Sequence, residues 1–169
     1  MAKSVGKIVV VTAVVLIVLV LVAASIMIFS GAVNVAATKP HAKLTEWVLE
    51  TAREHSVERR AGGIVEQNVA PTGATARHFE ETCRLCHGAP GQEPSAIGKG
   101  ELPEPPDLKK VARRMKQREL FWVVKHGIKM TGMPAFGKTH TDKELWEMVS
   151  FVGKLPGMSQ EQYRQLRGK

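Results

Sequence analysis

Cys83-Arg84-Leu85-Cys86-His87 gathers both cysteines of the chain into five consecutive residues. Two thiols three positions apart can add to the two vinyl groups of one porphyrin, and the adjacent imidazole then faces the iron from the same side. C-x-x-C-H is the attachment signature for a c-type haem. A structural zinc site needs about four ligands, and the chain has no second cysteine pair. A thioredoxin-like redox pair sits in a βαβ pattern, which the sequence does not show. The spacing predicts one haem c, covalently attached through Cys83 and Cys86, with His87 as an iron ligand.

Haem iron takes a second axial ligand or keeps that position open. The candidates lie in Gly127-Ile128-Lys129-Met130-Thr131-Gly132-Met133-Pro134-Ala135-Phe136-Gly137. A thioether on such a Pro- and Gly-bearing loop can be held rigidly, and His/Met ligation raises the reduction potential. Met133, followed by Pro134, is the ligand this pattern favours, with Met130 as the alternative; core filling is the ordinary use of a methionine. Trp122 either packs on the haem, donates to a propionate or belongs to the core. His126 is a helix-end residue that could instead bond a propionate or replace the methionine, while His41, His55, His78 and His140 read as surface or structural. Lys109, Lys110, Arg113, Arg114, Lys116 and Arg118 form a basic run between the haem loop and the next helix. Such a run is a solvated face or a docking patch for an acidic redox partner, and Lys125, Lys129 and Lys138 add charge around the methionine loop.

These residues need a scaffold and a compartment. The chain has 169 residues, a formal net charge of +8 and no acidic residue before Glu46. Its mean hydropathy of −0.09 averages two unlike parts. Ile8–Phe29 is an uncharged run of 22 residues broken only by Thr12 and Ser25; as a helix it rises about 33 Å, enough for a hydrocarbon core of about 30 Å. Lys3 and Lys7 precede it, which places that end in the cytoplasm and the rest outside. A cleaved signal peptide, with Val35-Ala36-Ala37 as the cleavage pattern, is the competing reading, although the run is longer than a usual signal core. The expected divisions are an anchor over 1–37 (membrane helix about 8–29), a juxtamembrane amphipathic helix and connector over 38–74, and one domain over 75–169. Composition excludes a polytopic membrane protein, a disulfide framework and a wholly disordered chain.

The spacing predicts a helix over His41–Ala61, with Leu44, Trp47, Val48, Thr51 and His55 on one face. That stripe packs on the main domain, lies at the membrane surface or binds a partner. Gly62-Gly63 ends the helix, and 64–74 is a connector. A short helix runs from about Thr75 to Cys86. Residues 88–108, with five prolines and four glycines, form a long irregular loop of the kind that serves a function. A helix follows over Arg118–Lys125, then a loop over 128–140. Thr141-x-x-Glu144 is a capping box opening a helix with Leu145, Met148, Val149 and Val152 on one face, and Ser159-x-x-Gln162 opens a last short helix. No strand pattern is evident, so the domain is all-α.

This combination resembles the class I, mitochondrial-cytochrome-c-like monohaem cytochromes in a membrane-anchored bacterial form. Cys83–His87, Met133-Pro134-Ala135-Phe136 about 46 residues later and a closing amphipathic helix carry the resemblance, over roughly 75–156. It implies a cytochrome c fold wrapped around one covalent haem with an exposed edge. It further implies that Phe79 packs across the last helix on Phe151 or Trp146, with Thr75 where the family usually has glycine. A carbonyl after the haem motif, from Pro90 or Pro94, would accept from the His87 imidazole, and Leu108 in Pro105-Pro106-Asp107-Leu108 would touch the haem. The expected function is one-electron transfer, not catalysis, between respiratory or other redox proteins or within a membrane electron-transfer complex. The haem domain would face the periplasm from the bacterial inner membrane. Nucleic acid is a poor partner for an exported haem domain. The rival readings are a haem enzyme or small-molecule sensor with an open or labile sixth position, and a structural assembly subunit with haem as a folding staple.

Overall fold

The computed structural model describes residues 2–168, with side chains from residue 4 onward. The Lys3 side chain, one of the two cations expected before the apolar run, lies outside the described residues. The chain divides into two compact units, Met1–Lys39 and Pro40–Lys169.

The first unit is built on α1, Ala2–Phe29. Its stretch Ser4–Phe29 is long and apolar enough to cross a membrane, and its apolar side chains are exposed along the whole length.

The second unit consists of α2 (Lys43–Ala61), α3 (Gly73–Thr82), α4 (Arg84–His87), α5 (Ala96–Lys99), α6 (Leu108–Arg114), α7 (Gln117–His126), α8 (Asp142–Lys154) and α9 (Gln160–Arg167). Short 3-10 turns occur at Phe136–Lys138 and Leu155–Gly157. No strand occurs among the described residues; one isolated bridge joins Ala89 and Gln92. The fold is therefore all-α, as the sequence predicts.

α8 is the central element, burying Leu145, Trp146, Met148, Val149, Phe151 and Val152. The predicted capping box starts it: Thr141 Oγ1 accepts from the Glu144 N–H, and the Glu144 carboxylate accepts from the Thr141 N–H at 2.8 Å. Accepting that N–H, and the Thr141 hydroxyl, holds the Glu144 carboxyl below its ordinary range. Two helices lie against α8 through aromatic pairs. Phe79 of α3 meets Phe151 with ring centroids 5.1 Å apart. Trp146 instead stacks on Phe121 of α7 at 4.2 Å and 10°, so of the two partners considered for Phe79 it is Phe151 that serves. Thr75, in place of a glycine, is buried at the α3–α8 contact and donates to Glu147 Oε2 at 3.2 Å. A hydroxyl that finds a partner can be accommodated where an unpaired one would be costly.

The structure departs from the sequence expectations at four places. The helix expected over Thr75–Cys86 begins two residues earlier, because Thr72 caps it, and gives way at Cys83 to the separate turn α4. The stretch 88–108 holds α5, capped by Ser95. The basic run is itself helical: α6 starts where Asp107 Oδ1 accepts from the Lys109 N–H at 2.8 Å, and buries Val111. In α2 the residues that pack are Val57 and Ala61, whereas Leu44, Trp47 and Val48 of the expected stripe are exposed.

Candidate functional site

α3 ends where the chemistry starts. The Cys83 N–H closes the last turn of α3 onto the Phe79 carbonyl, and the His87 N–H bonds the Cys83 carbonyl at 3.0 Å. The whole C-x-x-C-H thus occupies one helical turn, which sets both thiols and the imidazole on a short rigid segment. α5 is tied to that turn by the Ser95 N–H, which donates to the Leu85 carbonyl at 2.9 Å.

His87 Nδ1 lies 2.8 Å from the carbonyl oxygen of Pro106. A carbonyl only accepts, so Nδ1 carries the proton and Nε2 keeps its lone pair for a metal. Such a bond fixes the tautomer and the orientation of the ring. The acceptor is Pro106, not Pro90 or Pro94. Pro90 is fully buried, in the bend closed by the Ala89 and Gln92 backbone pair, while the chain returns to His87 only 19 residues later, just before α6.

Burial pushes the Cys83 thiol up to about 11. The Cys86 thiol is raised by loss of solvation and by Glu101, whose Oε1 accepts from Sγ at 3.2 Å. Both sulfurs are free of any disulfide. Glu101 also reaches the other side of the site, since a side chain at Gly132 would collide with its carboxylate.

The methionine loop is locked from within. Gly127 ends α7 with φ +65°, and a Cβ there would meet the Met133 carbonyl oxygen, Pro134 and the Ala135 nitrogen, each at 2.8 Å. The Ile128 N–H donates to the Met133 carbonyl at 3.2 Å. Thr131 Oγ1 donates to the Ile128 carbonyl at 2.8 Å and accepts from the Met133 N–H at 3.2 Å. Met133 lines one pocket together with Cys83, His78, Val124, Phe136 and Met148. Met130, the alternative, is 97 % exposed.

Leu108 begins α6 and packs against the core. Trp122 is half-buried beside His126, their rings 4.9 Å apart. Neither lines the pocket shared by Cys83 and Met133. His126 is exposed. His78 and His140 lie with ring centroids 4.8 Å apart and both line that pocket.

Sequence reasoning named Pro106 and Thr131 only as members of their loops, without these roles, and did not single out Glu101. It also passed over Glu80, one turn before the motif residue Arg84. Glu80 Oε1 pairs with Arg84 Nε at 2.8 Å and with Arg167 Nη1 at 2.9 Å, and Oε2 accepts from the Tyr163 hydroxyl at 2.6 Å. The i,i+4 spacing of Glu80 and Arg84 was the available signal; the contributions from α9 had none.

The donor set fits a covalently held haem: two protonated thiols and an imidazole with a free Nε2 on one turn, and a thioether in the pocket that one of those sulfurs lines. No curated protein and no solved structure matches the chain. Residues 70–152 match the family model for cytochrome C oxidase, cbb3-type, subunit III, so this stretch is similar to a c-type cytochrome domain.

Proposed function

We propose that the chain is a membrane-anchored carrier of single electrons, which would hold one haem c through thioethers from Cys83 and Cys86, with His87 and Met133 as the protein ligands to its iron. The haem supplies a one-electron couple between ferric and ferrous iron. The chain's residues bind and orient it. The Pro106 carbonyl holds the Nδ1 proton of His87, leaving Nε2 as the ligand atom. Gly127 and Thr131 fix the loop that presents the Met133 sulfur. Leu108, at the start of α6, and Trp122, on α7, are the further proposed cofactor contacts, although neither lines the pocket shared by Cys83 and Met133. With His87 and Met133 both supplied as ligands by the chain, no small substrate would need to reach the metal, which favours transfer over catalysis or sensing.

The anchor is residues 1–37, followed by the juxtamembrane stretch 38–74 and the cytochrome domain 75–169. Lys7, Lys3 and the positive-inside tendency favour a cytoplasmic amino terminus and a haem domain on the periplasmic side of a bacterial inner membrane. The matched family is named for a subunit of a cbb3-type oxidase. Together with the apolar α1, that name supports a place in, or beside, a membrane electron-transfer complex, with redox proteins as partners.

The single observation that carries the reading is the 2.8 Å bond from His87 Nδ1 to Pro106, because it prepares the imidazole of a C-x-x-C-H for a metal. The test is the ferric spectrum of the purified chain. Met133→Ala abolishes the sulfur-to-iron charge-transfer band and Met130→Ala leaves it intact; persistence of the band in Met133→Ala overturns the ligand assignment.

A further inference from the structure

The two halves of α2 face different surroundings. Near its C-terminal end Val57 and Ala61 are buried, and the helix rests against α7. Near its N-terminal end Leu44, Trp47 and Val48 are 71 %, 63 % and 47 % exposed. They stand at i, i+3 and i+4, and so form one apolar face. That face lies about a third of a turn round the axis from the Val57–Ala61 side, at 3.6 residues per turn. The domain core does not cover it.

The chain itself limits what can. Thirteen residues, 30–42, join the end of α1 to Lys43, and fully stretched they reach no further than about 50 Å. The start of α2 therefore cannot lie beyond that reach of whatever surface α1 emerges from. The patch has the composition of a membrane boundary, with an indole that is apolar in body and polar at its N–H between two aliphatic side chains. Lys39, His41 and Lys43 stand just before it. Within α2, Lys43, Arg53, Arg59 and Arg60 balance Glu46, Glu50, Glu54 and Glu58, so apolar burial rather than net charge must drive the contact.

We propose that the Leu44–Trp47–Val48 face of α2 lies in the headgroup–acyl boundary of the bilayer. Its C-terminal half then carries the cytochrome domain as a strut rather than on a free tether. This rests on the reading of α1 as a membrane anchor. A short interfacial helix of this kind binds through its apolar face and only weakly responds to salt when its charges balance. The consequence is a haem domain with a restricted orientation at the membrane, suited to exchange with a fixed neighbour.

The test uses the full haem-loaded chain in vesicles of phosphatidylethanolamine and phosphatidylglycerol. Both native thiols are consumed by the haem, so a single introduced cysteine can be spin-labelled uniquely: Leu44→Cys, Trp47→Cys, Val48→Cys, Leu49→Cys or Ile17→Cys. Accessibility to oxygen, which concentrates in lipid, is compared with that to a water-soluble nickel chelate. Labels at 44, 47 and 48 read as lipid-exposed, unchanged at raised salt, while 49, apolar and exposed but on the opposite side, reads as aqueous. If 44, 47 and 48 read as aqueous while 17 reads as lipid, the docking is overturned and the anchor stands. If 49 reads as lipid along with the others, the face-specific contact is overturned. If 17 reads as aqueous, or the chain does not float with the vesicles, the anchor reading fails and the docking with it. An unaltered haem spectrum in each variant shows that the fold is kept.

Discussion

The His87 imidazole has one ring nitrogen committed and the other free. The Pro106 oxygen, at 2.8 Å, takes the Nδ1 hydrogen and leaves the opposite nitrogen free. Gly127 plays the matching part on the other side of the site, since only a residue without Cβ tolerates φ +65° with three backbone atoms of the methionine loop at 2.8 Å. Gly127→Ala is therefore expected to cost about 1–3 kcal/mol through backbone strain alone. It should also loosen Met133: a fall in Tm accompanied by partial loss of the charge-transfer band is the expected result, and an unchanged Tm with a full band would contradict the role given to Gly127. Cys83→Ser leaves haem attached by one thioether or blocks maturation, and a wild-type haemochrome spectrum would contradict attachment. The local parts of this site were legible in the sequence. C-x-x-C-H and the Gly/Pro-bearing loop encode chemistry within a few residues of themselves. Pro106 was not legible as the acceptor, because which of five prolines returns to His87 depends on how the 88–108 stretch folds back, a non-local matter that spacing does not fix.

Among the elements, α9 does more than close the chain. It lies beyond the stretch that matches the family model, yet buries Tyr163 completely against Phe79 and Phe151 and delivers two donors to Glu80. Burial first, and the Glu80 carboxylate second, push the phenol of Tyr163 well above its ordinary value. Removing the hydroxyl in Tyr163→Phe should cost about 1.5 kcal/mol, the lower end for a hydrogen bond to a charged group, and lower Tm by a few degrees at neutral pH. The sign with pH follows from linkage. The unfolded chain loses the phenolic proton first, so wild-type stability falls as pH rises above the ordinary value of 10.0. The Phe variant lacks that contribution, and an identical alkaline slope in both would refute it. At the start of α8 the shift is opposite. Glu144 is held below its ordinary value of 4.5, so the stability linked to it is present above that pH and lost as pH falls through the lower folded value. Thr141→Ala should lower Tm at pH 7, with the gap to wild type narrowing in acid; a gap that is constant with pH would show that the carboxylate is not engaged. Helix starts marked by Thr141 and Ser159 were readable from side chains that cap their own backbone. α6 was hidden, since only Val111 of its seven residues is buried and its charges resemble a solvated run. Asp107 was the one local signal.

At the scale of the whole molecule, a near-neutral mean hydropathy conceals an apolar helix and a polar helical domain, with the excess of basic residues over acidic ones spread across both. If α1 anchors the chain, the haem protein stays with the membrane pellet through alkaline extraction and leaves only with detergent; release by alkali would point to cleavage or to a peripheral attachment. The apolar helix was legible because a run of 22 uncharged residues encodes it locally. The fate of the α2 stripe was not. Amphipathic spacing identifies a face but does not say whether protein or lipid will cover it, and the core took Val57 and Ala61 instead of Trp47. The basic α6 begins one residue after Asp107, close along the chain to the carbonyl that holds His87, so exchange with an acidic redox partner should slow as salt is raised. The central claim, a single electron carried by one covalent haem with both axial positions filled by protein, is tested most directly by spectroelectrochemical titration of the detergent-solubilised chain with and without carbon monoxide. The account predicts one c-type haem per chain, a single one-electron Nernst curve and no effect of carbon monoxide on the reduced spectrum. Absence of covalent haem, or a reduced spectrum and potential shifted by carbon monoxide, would contradict it.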